Sequence, residues 1–159
     1  MPLSSLNQRS WLDIRRIDLL GAVMSACLDL AVQKNCDGVE PDNVDGYVNY
    51  TGFPLKYTDQ FAYNTWLADV AHDRGLSVGL KNDVGQVKDL LPYFDWALNE
   101  ECYTYQECNL LSPFVAASKA VFGVEYSLDT ADFCPQANKL GFDFIKKNLV
   151  LDSGRQACR

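Results

Sequence analysis

The residues of this chain best suited to chemistry are carboxylates that directly follow short apolar runs. Asp13 follows Trp11-Leu12, and Glu40, Asp42 and Asp45 follow Gly38-Val39. Asp83 comes after Leu76-Ser77-Val78-Gly79-Leu80, Glu100 and Glu101 after Trp96-Ala97-Leu98, and Glu125 after Val121-Phe122-Gly123-Val124. Cleavage of a glycosidic bond needs two such groups across a gap. One, protonated, gives its proton to the leaving oxygen; the other, ionised, attacks the anomeric carbon or activates a water. Arg15, Asn43, Lys81, Asn82 and Tyr126 accompany the acids at the same strand ends and are candidates for holding a polar substrate. Tyr47, Tyr50, Phe53, Tyr103, Tyr105 and Tyr126 are of the type that stacks on sugar rings, or simply packs.

Other chemistries are poorly supplied. His72 is the single histidine and sits in a helical pattern, Ala71-His72-Asp73-Arg74, which suits a surface or capping role. Zinc sites draw on Cys and His clusters, and the cysteines form neither a CxxC pair nor a His cluster, so no metal is expected. Gly75, Gly79 and Gly85 match neither a phosphate loop nor a dinucleotide fingerprint, so no cofactor is expected either. A net charge of -7 argues against binding nucleic acid, whose phosphates call for a basic surface. No apolar run approaches the roughly 20 residues that span a bilayer, so no membrane span is expected.

The elements that must position these side chains alternate. Apolar runs at residues 11–14, 37–41, 76–80, 94–98 and 120–124 read as strands. Between them, residues 17–34 have helical periodicity, with Leu19, Leu20, Val23, Met24, Cys27, Leu30 and Ala31 on the inward face. A second helix is capped by Thr58, turns Phe61, Trp66, Leu67, Val70 and Ala71 inward, and stops at Gly75. A short helix capped by Asp83 ends at Pro92, and another covers residues 112–119. Gly141 splits the tail, and residues 142–151 carry no clear pattern. Strand–helix alternation at this spacing means βαβ units and a parallel sheet, an α/β fold. All strand C-termini then lie on one rim, where such folds bind ligands and do chemistry.

Several segments resemble glycoside hydrolase family 114, the endo-α-1,4-polygalactosaminidases. They are Trp11-Leu12-Asp13-Ile14-Arg15, Cys36-Asp37-Gly38-Val39-Glu40-Pro41-Asp42-Asn43-Val44-Asp45-Gly46-Tyr47, and Ala71-His72-Asp73-Arg74-Gly75 through Lys81-Asn82-Asp83. Asn99-Glu100-Glu101-Cys102, Tyr105-Gln106-Glu107-Cys108 and Lys119-Ala120-Val121-Phe122 continue the match in order. The resemblance implies a (β/α)8 TIM barrel that cleaves α-1,4-linked galactosamine polymer, a cationic polysaccharide, within its chain. It places the two essential carboxylates at Asp42, as nucleophile or transition-state stabiliser, and Glu100, as general acid/base. Asp13, Arg15, Asn43, Asp45, Tyr47, Lys81, Asn82, Asp83, Glu125 and Tyr126 are then candidates for binding substrate. Where the family usually has Asn-Glu-Gln-Cys, Glu101 replaces the Gln; if it faced the cleft, its charge would favour a protonated Glu100.

In that family the Trp-Leu-Asp-Ile-Arg stretch is about the fourth strand, and a full barrel needs about 250 residues. The 159 residues here therefore predict a partial barrel of about five strands, four to eight, preceded by an irregular or non-native stretch at residues 1–10. The expectation is a truncated chain, and the alternative function is an inactive, carbohydrate-binding relic of the enzyme. Residues 1–10 have no apolar core of a signal peptide. Six cysteines nevertheless suggest disulfides and an oxidising, extracellular setting for the full-length family member, as does the glycosylation sequon Asn49-Tyr50-Thr51. Sequence leaves the pairing open; Cys102–Cys108, Cys134–Cys158 and Cys27–Cys36 are the candidates.

Overall fold

A computed structural model describes residues 10–159. The expected irregular stretch at 1–10 thus lies, Ser10 apart, outside the described residues. Helices α1 (Ile17–Gln33), α2 (Tyr57–His72), α3 (Val87–Leu90), α4 (Ser112–Ala116) and α5 (Thr130–Leu140) alternate with strands β1 (Gly38–Val39), β2 (Ser77–Lys81), β3 (Trp96–Glu100), β4 (Val121–Glu125) and β5 (Asp143–Lys147). A last strand, β6 (Arg155–Ala157), follows directly. The sheet runs β1-β2-β3-β4-β5-β6 in sequence order, parallel from β1 to β5, with β6 antiparallel on β5. This is part of a TIM-barrel arc, as the alternation implies.

Period-two alternation divides the strands between two environments. Val78, Leu80, Ala97, Val121 and Phe144 join Leu67, Ala68, Ala71, Phe133 and Ala137 of the helices in one buried core. The register aligns Lys81 with Leu98, Leu98 with Phe122, and Glu100 with Val124 on the opposite face. Phe122 there is half-exposed, so this second face is open. Two glycines make room for neighbouring rings. A Cβ at Gly79 would overlap the Trp96 ring, and one at Gly123 would overlap Phe144.

Several expectations need correction. Residues 11–14 form no strand: the Asp13 carboxylate accepts the Arg15 N–H at 3.2 Å and the Asp13 carbonyl accepts that of Arg16 at 3.0 Å, so the chain turns straight into α1. The unassigned tail instead supplies β5 and β6, because Phe144 enters the core and Ile145 pairs with Ala157. The inward face of α1 is narrower than its periodicity suggested. Leu28 is buried and Leu20, Met24 and Ala31 pack on the core, whereas Leu19, Val23, Cys27 and Leu30 are exposed. Thr58 is inside α2 rather than capping it; the Asp59 carboxylate takes the Lys56 N–H at 2.8 Å instead.

Cys102–Cys108 and Cys134–Cys158 are disulfides. Cys27–Cys36 is not: both thiols are free and exposed. Six residues of helix place Cys27 about 9 Å along the axis from Gln33, and Cys36 lies beyond that end. Because Phe144 occupies the space where a side chain at 123 would go, Gly123→Ala should destabilise the fold by about 1–3 kcal/mol through overpacking. Chemical denaturation of the two proteins checks this.

Candidate active site

The rim at the strand C-termini carries the site. Lys81 is the last residue of β2, Glu100 the last of β3, and Tyr126 follows β4 directly. Parallel register therefore brings them to one edge with Glu40, just past β1. Glu40, Lys81, Leu98, Glu100, Phe122 and Tyr126 line part of a cleft of about 550 Å³. A second cavity of about 370 Å³ lies between residues 10–14 and the loop after β1; Asp42, Asn43 and Tyr63 are in its wall. Asp42 stands between the two, because its carboxylate reaches Lys81.

Lys81 is the hub. Its Nζ lies 3.2 Å from Glu40 Oε1, 3.3 Å from Asp42 Oδ1 and 3.5 Å from Glu100 Oε2. Those last two contacts cap the separation of the two oxygens at about 6.8 Å. The Lys81 side chain is 10% exposed, against 58% for Asp42 and 34% for Glu100, so the cation is enclosed while both acids stay accessible. Burial alone would depress the Lys81 pKa. Glu100, Asp42 and Glu40 outweigh it and hold the ammonium above its ordinary value, so it remains charged.

Glu100 is fixed from three sides. Its backbone N–H donates to Asn82 Oδ1 at 2.8 Å, and the Tyr126 hydroxyl donates to its Oε1. Asn82 adopts φ 52°, a left-handed conformation that Asn tolerates better than most residues. Burial, reinforced by the bond to Glu100, raises the Tyr126 pKa and keeps the phenol a donor. Behind Glu100, the Cys102–Cys108 bridge closes a short loop. Glu125, fully buried, accepts the Tyr103 N–H and the Thr104 hydroxyl from that loop, each at 2.8 Å.

The other expected site residues divide. Glu125 has no exposed surface and braces the loop. Glu101 does not line the cleft. Asp13 and Arg15 are bound to each other at 2.8 Å and line neither cavity. Of the six aromatics, Tyr126 alone lines the main cleft; Tyr103 packs on Phe133 and Phe144, and Tyr50 and Tyr105 point outward. His72 pairs with Asp95 at 2.9 Å near the end of α2. Among the described residues no cluster of three His, Cys, Asp or Glu side chains could hold a metal.

Asp83 is neither a cap nor exposed to substrate. Its side chain makes no cap bond; it is buried and accepts a hydrogen bond from Asn64 Nδ2 at 2.9 Å. Burial and then the neighbouring Asp45 push its pKa to about 8, and burial also raises that of Asp45. Tyr47 sits beside Asp83, its phenol pushed to about 12 by burial and by that carboxyl. Sequence reading missed Asn64 and Gln60. Two amides four apart on the apolar face of α2, at the spacing of Tyr63 and Leu67, were the available signal.

The family model for glycoside hydrolase family GH114 matches residues 2–159. The chain belongs to that family. Among solved structures, this GH114 chain is similar to Aspergillus fumigatus Ega3, crystallised in complex with galactosamine. The two share 34% identity at a TM-score of 0.86, over 93% of this chain and 64% of the Ega3 chain. The present chain thus spans a little under two thirds of that relative. The glycoside hydrolase domain of PelA from Pseudomonas aeruginosa aligns at a TM-score of 0.65 and 10% identity, over 97% of this chain and 71% of the other; at that identity the likeness concerns the fold. No curated protein matches the GH114 chain.

A carboxyl whose folded pKa lies above its unfolded value favours folding fully only below the unfolded pKa. For Asp83 that contribution is lost as pH rises from about 4 toward about 8. Asp83→Asn should therefore flatten stability across that window and stabilise the fold at pH 8 by on the order of a few kcal/mol. Denaturant midpoints of both proteins at pH 4, 6 and 8 check this.

Proposed function

We propose that this chain is a glycoside hydrolase that cuts α-1,4-linked galactosamine polymer internally, with Asp42 and Glu100 as its carboxylate pair. The observation that carries the reading is the shared Lys81 contact, which keeps oxygens of two accessible acids within about 6.8 Å of each other, Glu100 in the main cleft and Asp42 in the wall of the second cavity. In this reading Glu100, held by Tyr126 and Asn82, gives its proton to the leaving oxygen. Asp42, on the more exposed side, attacks the anomeric carbon or steadies the positive charge that develops there. Retaining enzymes hold their carboxyls about 5–5.5 Å apart and inverting ones about 6.5–9.5 Å apart.

The substrate class follows from the family. Glu40, Asp42 and Glu100 are available to pair with ammonium-bearing sugars, alongside Lys147, Arg155 and Arg159 in the lining of the main cleft. Ega3, at 34% identity, was crystallised with galactosamine. Two disulfides fit an oxidising compartment, hence an extracellular protein. The exposed Asn49 of the sequon is open to glycosylation there. A second reading is a domain that holds the polymer on the same acidic side chains without cutting it.

Incubation with deacetylated galactosamine polymer, scored for both released oligosaccharides and retained polymer, separates the two. The hydrolase reading expects oligosaccharide release, cut at least about 100-fold by either Asp42→Asn or Glu100→Gln. Retention without release supports the binding reading, and full activity in either variant removes that residue from the pair.

A further inference from the structure

The loop that carries Asp42 has little backbone support of its own. β1 is two residues long, and residues 41–44 make no backbone–backbone hydrogen bond with the rest of the described chain. Asn43 is in a left-handed conformation, φ 58°. The loop is nevertheless pinned at Val44, two residues after Asp42. The Val44 side chain is buried, and its carbonyl accepts Asn64 Nδ2 at 2.9 Å.

Asn64 is fully buried and saturated. The same Nδ2 group donates to Asp83 Oδ2 at 2.9 Å, and its Oδ1 accepts Gln60 Nε2 at 2.8 Å. One amide thus joins the loop of Asp42 to the turn after Lys81, the two segments that carry the acid and its cation. Asp83 is itself held in a left-handed conformation, φ 44°, at the start of that turn. Gln60 Oε1 and Asp83 Oδ1 have no hydrogen-bond partner among the described residues, but the Asn64 amide makes all three bonds of the network, so removing it breaks them together, which is costly in a buried site.

We propose that Asn64 and Asp83 form a positioning clamp that holds the Asp42 loop against the Lys81 strand end, acting on Asp42 through the Val44 backbone. Its consequence for catalysis rests on the hydrolase reading; the clamp itself does not. Neither residue lines the main cleft. The groups facing Asp83 are Asp45 and Tyr47 from the loop, and Tyr57 and Asn64 from α2, with Tyr57 in turn donating to Asp89 of α3. No cation is among them, so the clamp works with Asp83 protonated. Opening the loop exposes that carboxyl to water, where it ionises, and rising pH therefore favours the open form.

Amide hydrogen exchange of residues 42–48, corrected for intrinsic rates and compared with amides of β3 and β4, tests this without any substrate. In the wild-type chain, loop exchange should rise by up to about tenfold per pH unit between about pH 4 and 8 while β3 and β4 stay level. Asp83→Asn, which keeps an acceptor for Asn64 and suits the left-handed backbone, should abolish that slope. Asn64→Leu, of similar size but lacking both donors, should speed loop exchange at least about tenfold at every pH. Where polymer is cleaved, Asn64→Leu should lower kcat by about 10- to 100-fold with KM nearly unchanged, as misplacement of a reacting group does. Equal slopes in wild type and Asp83→Asn, or unchanged loop exchange in Asn64→Leu, would overturn the clamp. A wild-type chain that cleaves nothing would overturn the hydrolase reading alone, since the exchange data still decide the clamp.

Discussion

Everything at the rim depends on one ammonium shared by three carboxylates. Lys81 leaves the sheet at the end of β2, flanked by β1 on one side and β3 on the other. Its Nζ therefore lies between Glu40 and Asp42 from one neighbour and Glu100 from the other, at 3.2 to 3.5 Å. Three acids this close would repel one another without it. With it, two of them stay exposed and near each other, the condition for paired carboxylate chemistry. Its burial would favour the neutral amine, so the ion pairs keep the cation and the cation keeps the acids in place.

The surroundings brace that arrangement with different devices on each side. On the Glu100 side the brace is local and covalent: a disulfide after the strand, a buried Glu125 gripping the loop, and Asn82 holding the Glu100 backbone. On the Asp42 side no disulfide is present, and the loop depends on buried amides of α2. The Glu100 side is rigid by construction, whereas the Asp42 side is held by a network that contains a titratable carboxyl near neutrality.

Much of this was legible in the sequence where local rules suffice. Strands 76–80, 94–98 and 120–124 announced themselves as apolar runs and lie within two residues of β2, β3 and β4. Parallel alternation then put Lys81, Glu100 and Tyr126 on one rim without further information. Asp42 and Glu100 were reached through family motifs, and the fold brings both to the same lysine. Several of the failures depended on partners that the local pattern does not show. Residues 11–14 have an apolar pattern but no strand to pair with among the described residues. Phe144 became a core residue only because Gly123 leaves space across the sheet. Cys27 and Cys36 are near in sequence, yet the last turns of α1 lie between them. Asp83 read as a cap from its position before a short helix; Asn64, nineteen residues earlier, made it a buried acceptor.

The central claim is that Lys81 couples Asp42 to Glu100. Double-mutant cycles on stability measure this directly, pairing Lys81→Met first with Asp42→Asn and then with Glu100→Gln. The shared-cation account predicts coupling of at least about 0.5 kcal/mol in both cycles. Coupling in one cycle only, or in neither, would mean that the two acids are not held by a common cation, and would contradict it.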